Sequence, residues 1–303
     1  MKMGAQLVAA RVAAVLYGDV TEVVRLPASW GNETWRTELA GGENFVVKLG
    51  PAESARKWSA ATVGYQLASA AGLPTSRVVH CDEQPGVDGR VMRIFTWLEG
   101  DDPRGLSGSA RARFFSELGA SARSLHAIEL ARFSSRLDGS APEFERWDDY
   151  VAYRLPAVID RASKTRVLAD MQLGRIETEI RDLAEEVSDG VRPVLCHRDL
   201  HLGNTLATSS GALSALLDFD GAEAWDPAAD FVKLRWQTCA DPDDAAAFNT
   251  AYLAGGSWPT KWDYRLRLAD LLELTNNLAN ARVDGHADYE ERTRRRLQSV
   301  LDP

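Results

Sequence analysis

Hydrophobic positions recur with period two in the first third of the chain and with helical spacing in most of the rest. Leu7–Leu16 is apolar but interrupted by Arg11, so residues 5–17 read as an amphipathic first helix and not as the core of a signal segment. Strand-like runs follow at Val20–Leu26, Trp35–Leu39 and Phe45–Leu49, with Gly41-Gly42 as the hairpin turn between the last two. Ser54–Ala71 has helical spacing that puts Trp58, Thr62, Tyr65 and Ser69 on one side, and Gly72 and Pro74 end it. Val78–His80 and Val91–Thr96 read as two further strands. Residues 1–97 thus describe a small antiparallel sheet with a helix beside it.

Beyond Trp97 the pattern becomes helical. The polar stretch Glu99–Pro103 is placed as a hinge. Helices are expected at Ser109–Ile128, 147–161, 168–187, near 228–239, 243–254 and 262–281. A last helix carries the basic run Glu291–Arg296 on a solvated face. One β-type interruption breaks this series: Thr205–Thr208 and Leu213–Leu217 flank Ser209-Ser210-Gly211 as a predicted hairpin. No run approaches the ~20 apolar residues of a membrane helix. The pattern gives an α+β chain in two parts, 1–97 and 98–303.

Composition narrows the reading. A hydrophobic content of 45% fits a folded globular chain. The net charge of −9, from 35 Lys+Arg against 44 Asp+Glu, speaks against a nucleic-acid or anionic-membrane partner. Cys81, Cys196 and Cys239 form no CxxC pair, so neither a zinc site nor a disulfide framework is indicated, and a cytoplasmic location is expected. A metal-hydrolase reading of His197, Asp199 and His201 is disfavoured, because that pattern wants more His at close spacing and the chain has only five.

The candidate chemistry sits around the predicted hairpin, where His197, Asp199, Asn204, Asp218 and Asp220 crowd into two short loops. Any one Asp in a turn is ordinarily a cap. The joint spacing is more specific: His197-x-Asp199, Asn204 five residues later, then a hairpin that returns Asp218 beside Asn204. Phosphoryl transfer needs such a set, with one carboxylate at the attacking hydroxyl and hard oxygens for magnesium. There is no Walker-type glycine-lysine loop.

These residues, with the segment Asp226-Pro227-Ala228-Ala229-Asp230, resemble the aminoglycoside phosphotransferase and choline kinase-like family, relatives of the protein kinases. The resemblance implies a bilobal protein-kinase-like fold, with a small antiparallel-sheet N-lobe and a mostly helical C-lobe. It implies that Asp199 orients or deprotonates the acceptor hydroxyl, that His197 and Asp230 hold the catalytic loop, and that Asn204 and Asp218 bind Mg²⁺. Lys48 would contact the nucleotide phosphates, and Ser29, Asn32 and Thr34 would belong to the loop covering them. Adenine would lie along Met92–Leu98, reached by backbone groups at Thr96 and Leu98 and packed near Phe95 or Trp97. The implied cofactors are Mg²⁺ and ATP, with GTP left open. The implied partner is a small hydroxylated acceptor, an aminoglycoside or amino sugar first and a choline, thiamine or homoserine type second, with Glu223, Trp225 and Asp226 nearby. One departure stands out: Ser54–Ala71 has no acidic residue to pair with Lys48, and Glu53 is the nearest candidate. That gap is the one support for a nucleotide-binding module without turnover. A protein kinase is disfavoured by Asp218-Phe219-Asp220 in place of an Asp-Phe-Gly and by the lack of an APE segment.

Overall fold

The structure is a computed structural model and describes residues 2–27, 32–86, 88–239 and 241–302. It divides into two compact units, Met1–Leu118 with Leu202–Ala222, and Gly119–His201 with Glu223–Pro303.

The first unit is built on strands β1 (Val20–Arg25), β2 (Glu33–Leu39), β3 (Asn44–Pro51), β4 (Val78–Cys81) and β5 (Arg90–Thr96), paired antiparallel in the order β1-β2-β3-β5-β4. Alternation along the strands decides which side chains meet which layer. Trp35, Leu39, Val47, Leu49, Met92 and Ile94 pack with Val8 and Val12 of α1 (Lys2–Leu16) in one buried cluster. Full burial of each such side chain contributes roughly 1.5–3 kcal/mol. The intervening residues Arg93 and Phe95 point the other way, toward Trp58 and Tyr65 of α2 (Ser54–Ala70), and the Lys48 ammonium lies over the Phe95 ring. That helix buries Trp58, Ala61, Tyr65 and Ala68, a spacing of three and four. Ser69, expected on the same side as Trp58, is exposed, because it sits in the last turn of the helix, beyond the buried Ala68. Gly72 adopts φ +76° just past the helix, and Gly72 and Leu73 donate to the carbonyls of Ser69 and Ala68 at 3.0 and 3.1 Å. This is the left-handed C-terminal motif that glycine permits at least cost.

The hairpin β9 (Thr205–Ala207) and β10 (Leu213–Leu216) belongs to the same unit. Gly211 turns it at φ +82°, where a Cβ would collide with the Ala110 carbonyl.

The second unit is mainly helical. It contains the latter part of α3 (Gly108–His126), then α4 (Trp147–Thr165), α5 (Asp170–Val187), α6 (Ala228–Lys233), α7 (Pro242–Leu253), α8 (Trp262–Val283) and α9 (Ala287–Leu301). α8 packs against α4, α5, α6 and α9. Residues 228–239 were expected as one helix; α6 stops at Lys233 and Leu234–Thr238 continues as a π-helical turn, a widening that recurs at functional sites. A small sheet, β6 (Phe133–Ser134), β7 (Glu143–Phe144), β8 (Val194–Cys196) and β11 (Glu223–Trp225), escaped the sequence reading because strands of two or three residues carry no legible period. Among the described residues no helix is long and apolar enough to cross a membrane.

Candidate active site

The first unit contains a cavity of about 460 Å³. Val46, Phe95, Leu98, Leu206 and Leu217 give it an apolar lining, and Lys48, Asn204 and Asp218 also line it. The size suits a drug-sized or cofactor-sized ligand. The Leu217 N–H donates to the Asn204 carbonyl at 2.8 Å, which closes the hairpin and delivers Asp218 to the position after it. Asp218 itself is left-handed, at φ +64°, a conformation that Asp tolerates better than most residues. An amide oxygen and a carboxylate on one cavity wall are hard donors, and they fit a magnesium ion that shares its shell with phosphate oxygens.

Lys48 sits midway along β3, buried, with its ammonium 2.9 Å from Asp218 and 3.6 Å from Asp220. The partner sought in the first N-lobe helix is thus supplied by the Asp218-Phe219-Asp220 loop, and Glu53 stands exposed at the start of α2. Asp220 also pairs with the Arg93 guanidinium, which is fully buried and lies 4.8 Å from the ring centres of both Trp58 and Phe95. Burial opposes the Asp220 charge, yet Lys48 and Arg93 outweigh it and hold the carboxyl at about 2. The Phe219 N–H donates to the Tyr65 hydroxyl at 3.2 Å, a further tie between this loop and α2.

The remaining nucleotide-side residues divide. Thr34 lines the cavity; Ser29 lies outside the described residues. Asn32 has its side-chain oxygen beside Gly50 and is not among the residues that line the cavity. Thr96 spends its N–H on the Arg77 carbonyl at 3.0 Å, and its hydroxyl accepts from the Arg77 N–H at 3.0 Å, whereas Leu98 and Trp97 line the cavity.

In the second unit a single buried carboxylate organises the loop that carries Asp199. Asp226 accepts from the Ala228 N–H at 3.0 Å and Pro227 presets the next turn, so α6 starts there and aims Asp230 back at the loop. Asp230 accepts from the N–H groups of His197 at 2.8 Å and Arg198 at 2.5 Å, and meets His126 Nε2 at 3.0 Å. Burial works against this charge; the His126 contact and the backbone donor prevail and lower its pKa. These bonds hold Arg198 at φ +67°, a left-handed position for a large side chain. The Asp199 N–H then donates to His197 Nδ1 at 3.3 Å, so the buried imidazole braces the turn.

Asp199 is half-buried and paired with the Lys233 ammonium, and His201 Nε2 lies 3.5 Å from the same oxygen. Burial disfavours its charge, but the His201 hydrogen bond and Lys233 overcome that and keep the carboxyl well below the usual range. Lys233 was missed by the sequence reading. Its signal was its place three residues after Asp230, which puts both on one face of a helix.

The acceptor-side candidates are engaged internally. Glu223 meets Arg198 at 3.3 Å and Arg154 at 3.2 Å. Trp225 is buried with the Arg198 guanidinium 3.6 Å over its ring, and Asp226 is buried in a two-pronged pair with Arg265 at 2.9 and 2.7 Å. Arg198 also donates to Glu273 at 2.6 Å.

A five-stranded antiparallel sheet in one unit and a mostly helical second unit are the elements of a kinase-like phosphotransferase. A sequence model of the phosphotransferase enzyme family matches residues 22–269, and the chain belongs to that family. Among solved structures, a thermostable mutant of aminoglycoside phosphotransferase APH(4)-Ia superposes with a TM-score of 0.73 at 17% identity, covering 97% of this chain and 98% of that one. The same protein in a ternary complex with ADP and hygromycin B gives 0.72 at 19%, covering 97% and 98%. A proposed fructosamine-3-kinase from Thermobifida fusca gives 0.73 at 19%, covering 98% and 99%. At these identities the likeness is one of fold, an α+β protein-kinase-like architecture. A search of curated proteins returned no match.

Proposed function

We propose that the chain is an ATP- and Mg²⁺-dependent kinase that transfers the γ-phosphoryl group to a hydroxyl of a small molecule. The observation that carries this reading is the cavity that Lys48, Asn204 and Asp218 line together with Val46, Phe95, Leu98, Leu206 and Leu217, apolar side chains fit to pack a purine. Neighbouring folds that hold ADP or AMP-PNP with hygromycin B support the same assignment.

Lys48 binds the phosphates, and Leu98 offers backbone groups to the base. Asn204 and Asp218 hold Mg²⁺, which offsets charge on the phosphates when bound. Asp199, five residues before Asn204 in the chain, orients the acceptor hydroxyl for in-line attack. His197 and Asp230 keep its loop in place. Little proton-accepting strength is required of Asp199, because the transition state is loose and positioning dominates. A cytoplasmic site of action follows from the need for ATP.

The test is ADP release by the purified chain with Mg·ATP and a panel of aminoglycosides, amino sugars, neutral sugars and amino alcohols. Release that depends on one acceptor class and stops on chelation of magnesium is expected. ADP release that ignores every acceptor, or no nucleotide binding at all, contradicts the reading.

A further inference from the structure

The charges around Asp199 bear on what acceptor this kinase takes, an inference that rests on the kinase reading above. A polycation such as an aminoglycoside is held by carboxylates with charge to spare. Several carboxylates of the second unit are spent on its own cations. Asp199 pairs with Lys233, Glu223 with Arg198 and Arg154, Glu273 with Arg198, Asp226 with Arg265, and Asp270 with Arg235. Asp241 caps α7 through the Asp243 N–H at 2.9 Å. Turning Glu223, Glu273 or Asp226 toward a ligand cation would strand Arg198 or Arg265, whose side chains are only 7% and 5% exposed.

Three of the tryptophans are engaged in the same way. Trp225 already carries Arg198 on its face at 3.6 Å, and Trp258 and Trp262 stack on each other at 5.0 Å. A quaternary ammonium needs open ring faces.

Lys233 adds an active element. Its side chain is 17% exposed and its ammonium meets the carboxylate expected to receive the acceptor hydroxyl. A cationic group brought to Asp199 therefore meets a like charge at close range, whereas an anionic or hydroxyl group can use the ammonium donors not spent on Asp199.

We propose that the acceptor is a neutral or anionic hydroxylated molecule, not a polycation, and that Lys233 selects against cationic acceptors. The same side chain serves as a positioning residue, holding the Asp199 carboxylate in one orientation.

Calorimetric binding of kanamycin, myo-inositol and gluconate to the full chain, wild type, Lys233→Gln and Lys233→Glu, tests this without requiring turnover. ADP release with polycationic, neutral and anionic alcohols is measured in parallel. Kanamycin should bind Lys233→Glu at least about ten-fold more tightly than it binds the wild type, with Lys233→Gln between them. In the wild type, kcat/KM should be highest for a neutral or anionic alcohol. Equal kanamycin affinity across the three proteins overturns the role of Lys233. Kanamycin as the best wild-type substrate overturns the acceptor class. Failure of the kinase reading is distinct: the chain would not bind ADP with magnesium, whatever its response to kanamycin.

Discussion

Lys48 of β3 and Arg93 of β5 stand directly opposite each other across the ladder, two cations side by side on one face of the sheet. Like charges so placed repel. Asp220 resolves the conflict, with one oxygen 3.6 Å from the Lys48 ammonium and the other on the Arg93 guanidinium. Arg93 is held in turn by the Trp58 carbonyl at 3.3 Å. The chain thus meets the need for a lysine counter-ion from the Asp218-Phe219-Asp220 loop, without a helix glutamate.

Asp220→Ala leaves Arg93 buried and unpaired, so stability should fall by about 3–5 kcal/mol, measured by urea unfolding. Asp220→Asn should weaken nucleotide binding while Glu53→Ala leaves it unchanged. A larger loss from Glu53→Ala would return the counter-ion role to α2.

Asp230→Ala removes the acceptor for two consecutive N–H groups, and each orphaned donor costs roughly 1–3 kcal/mol. The left-handed Arg198 would relax and shift Asp199, for which a loss of about 100-fold in kcat is expected. Steady-state kinetics with unchanged nucleotide affinity would confirm the division of labour; loss of nucleotide affinity alone would not.

Asn204 and Asp218 carry the metal assignment. Asn204→Ala should raise the magnesium concentration for half-maximal activity by about ten-fold or more. Titration of activity against Mg²⁺ reads this directly, and an unchanged midpoint would remove Asn204 from the ligand set.

The carboxyls of Asp199, Asp220 and Asp230 all have lowered folded-state pKa values, Asp220 at about 2. An unfolded Asp titrates near ~3.9. The stability these groups contribute is present above that value and is lost as pH falls through the folded values. Thermal midpoints should therefore stay level from neutral pH down to about 5 and drop between about 4 and 2. Asp199 remains ionised throughout the working range, so it should give kcat no acid limb above about pH 5. An ascending limb near pH 6.5 that Asp199→Asn abolished would contradict this.

Much of this was legible in the sequence, for identifiable reasons. The five strands and α2 were visible because alternation and the Gly72 stop are local signals. His197, Asp199, Asn204 and Asp218 stood out through spacing alone. The small sheet of β6, β7, β8 and β11 was hidden because its strands are too short to show a period. Lys233, Arg93 and Asp220 were harder still, because their roles depend on which charge each side chain meets, and that is set by register and helix phase. Trp225 and Asp226 look like surface candidates in a polar, aromatic-rich stretch, yet Arg198 and Arg265 cover them.

The most direct test of the central claim is Asp199→Asn. At saturating nucleotide and acceptor, ADP release should fall by between about 100- and 10,000-fold, with thermal midpoint and nucleotide affinity retained. Wild-type turnover in that variant would contradict the account.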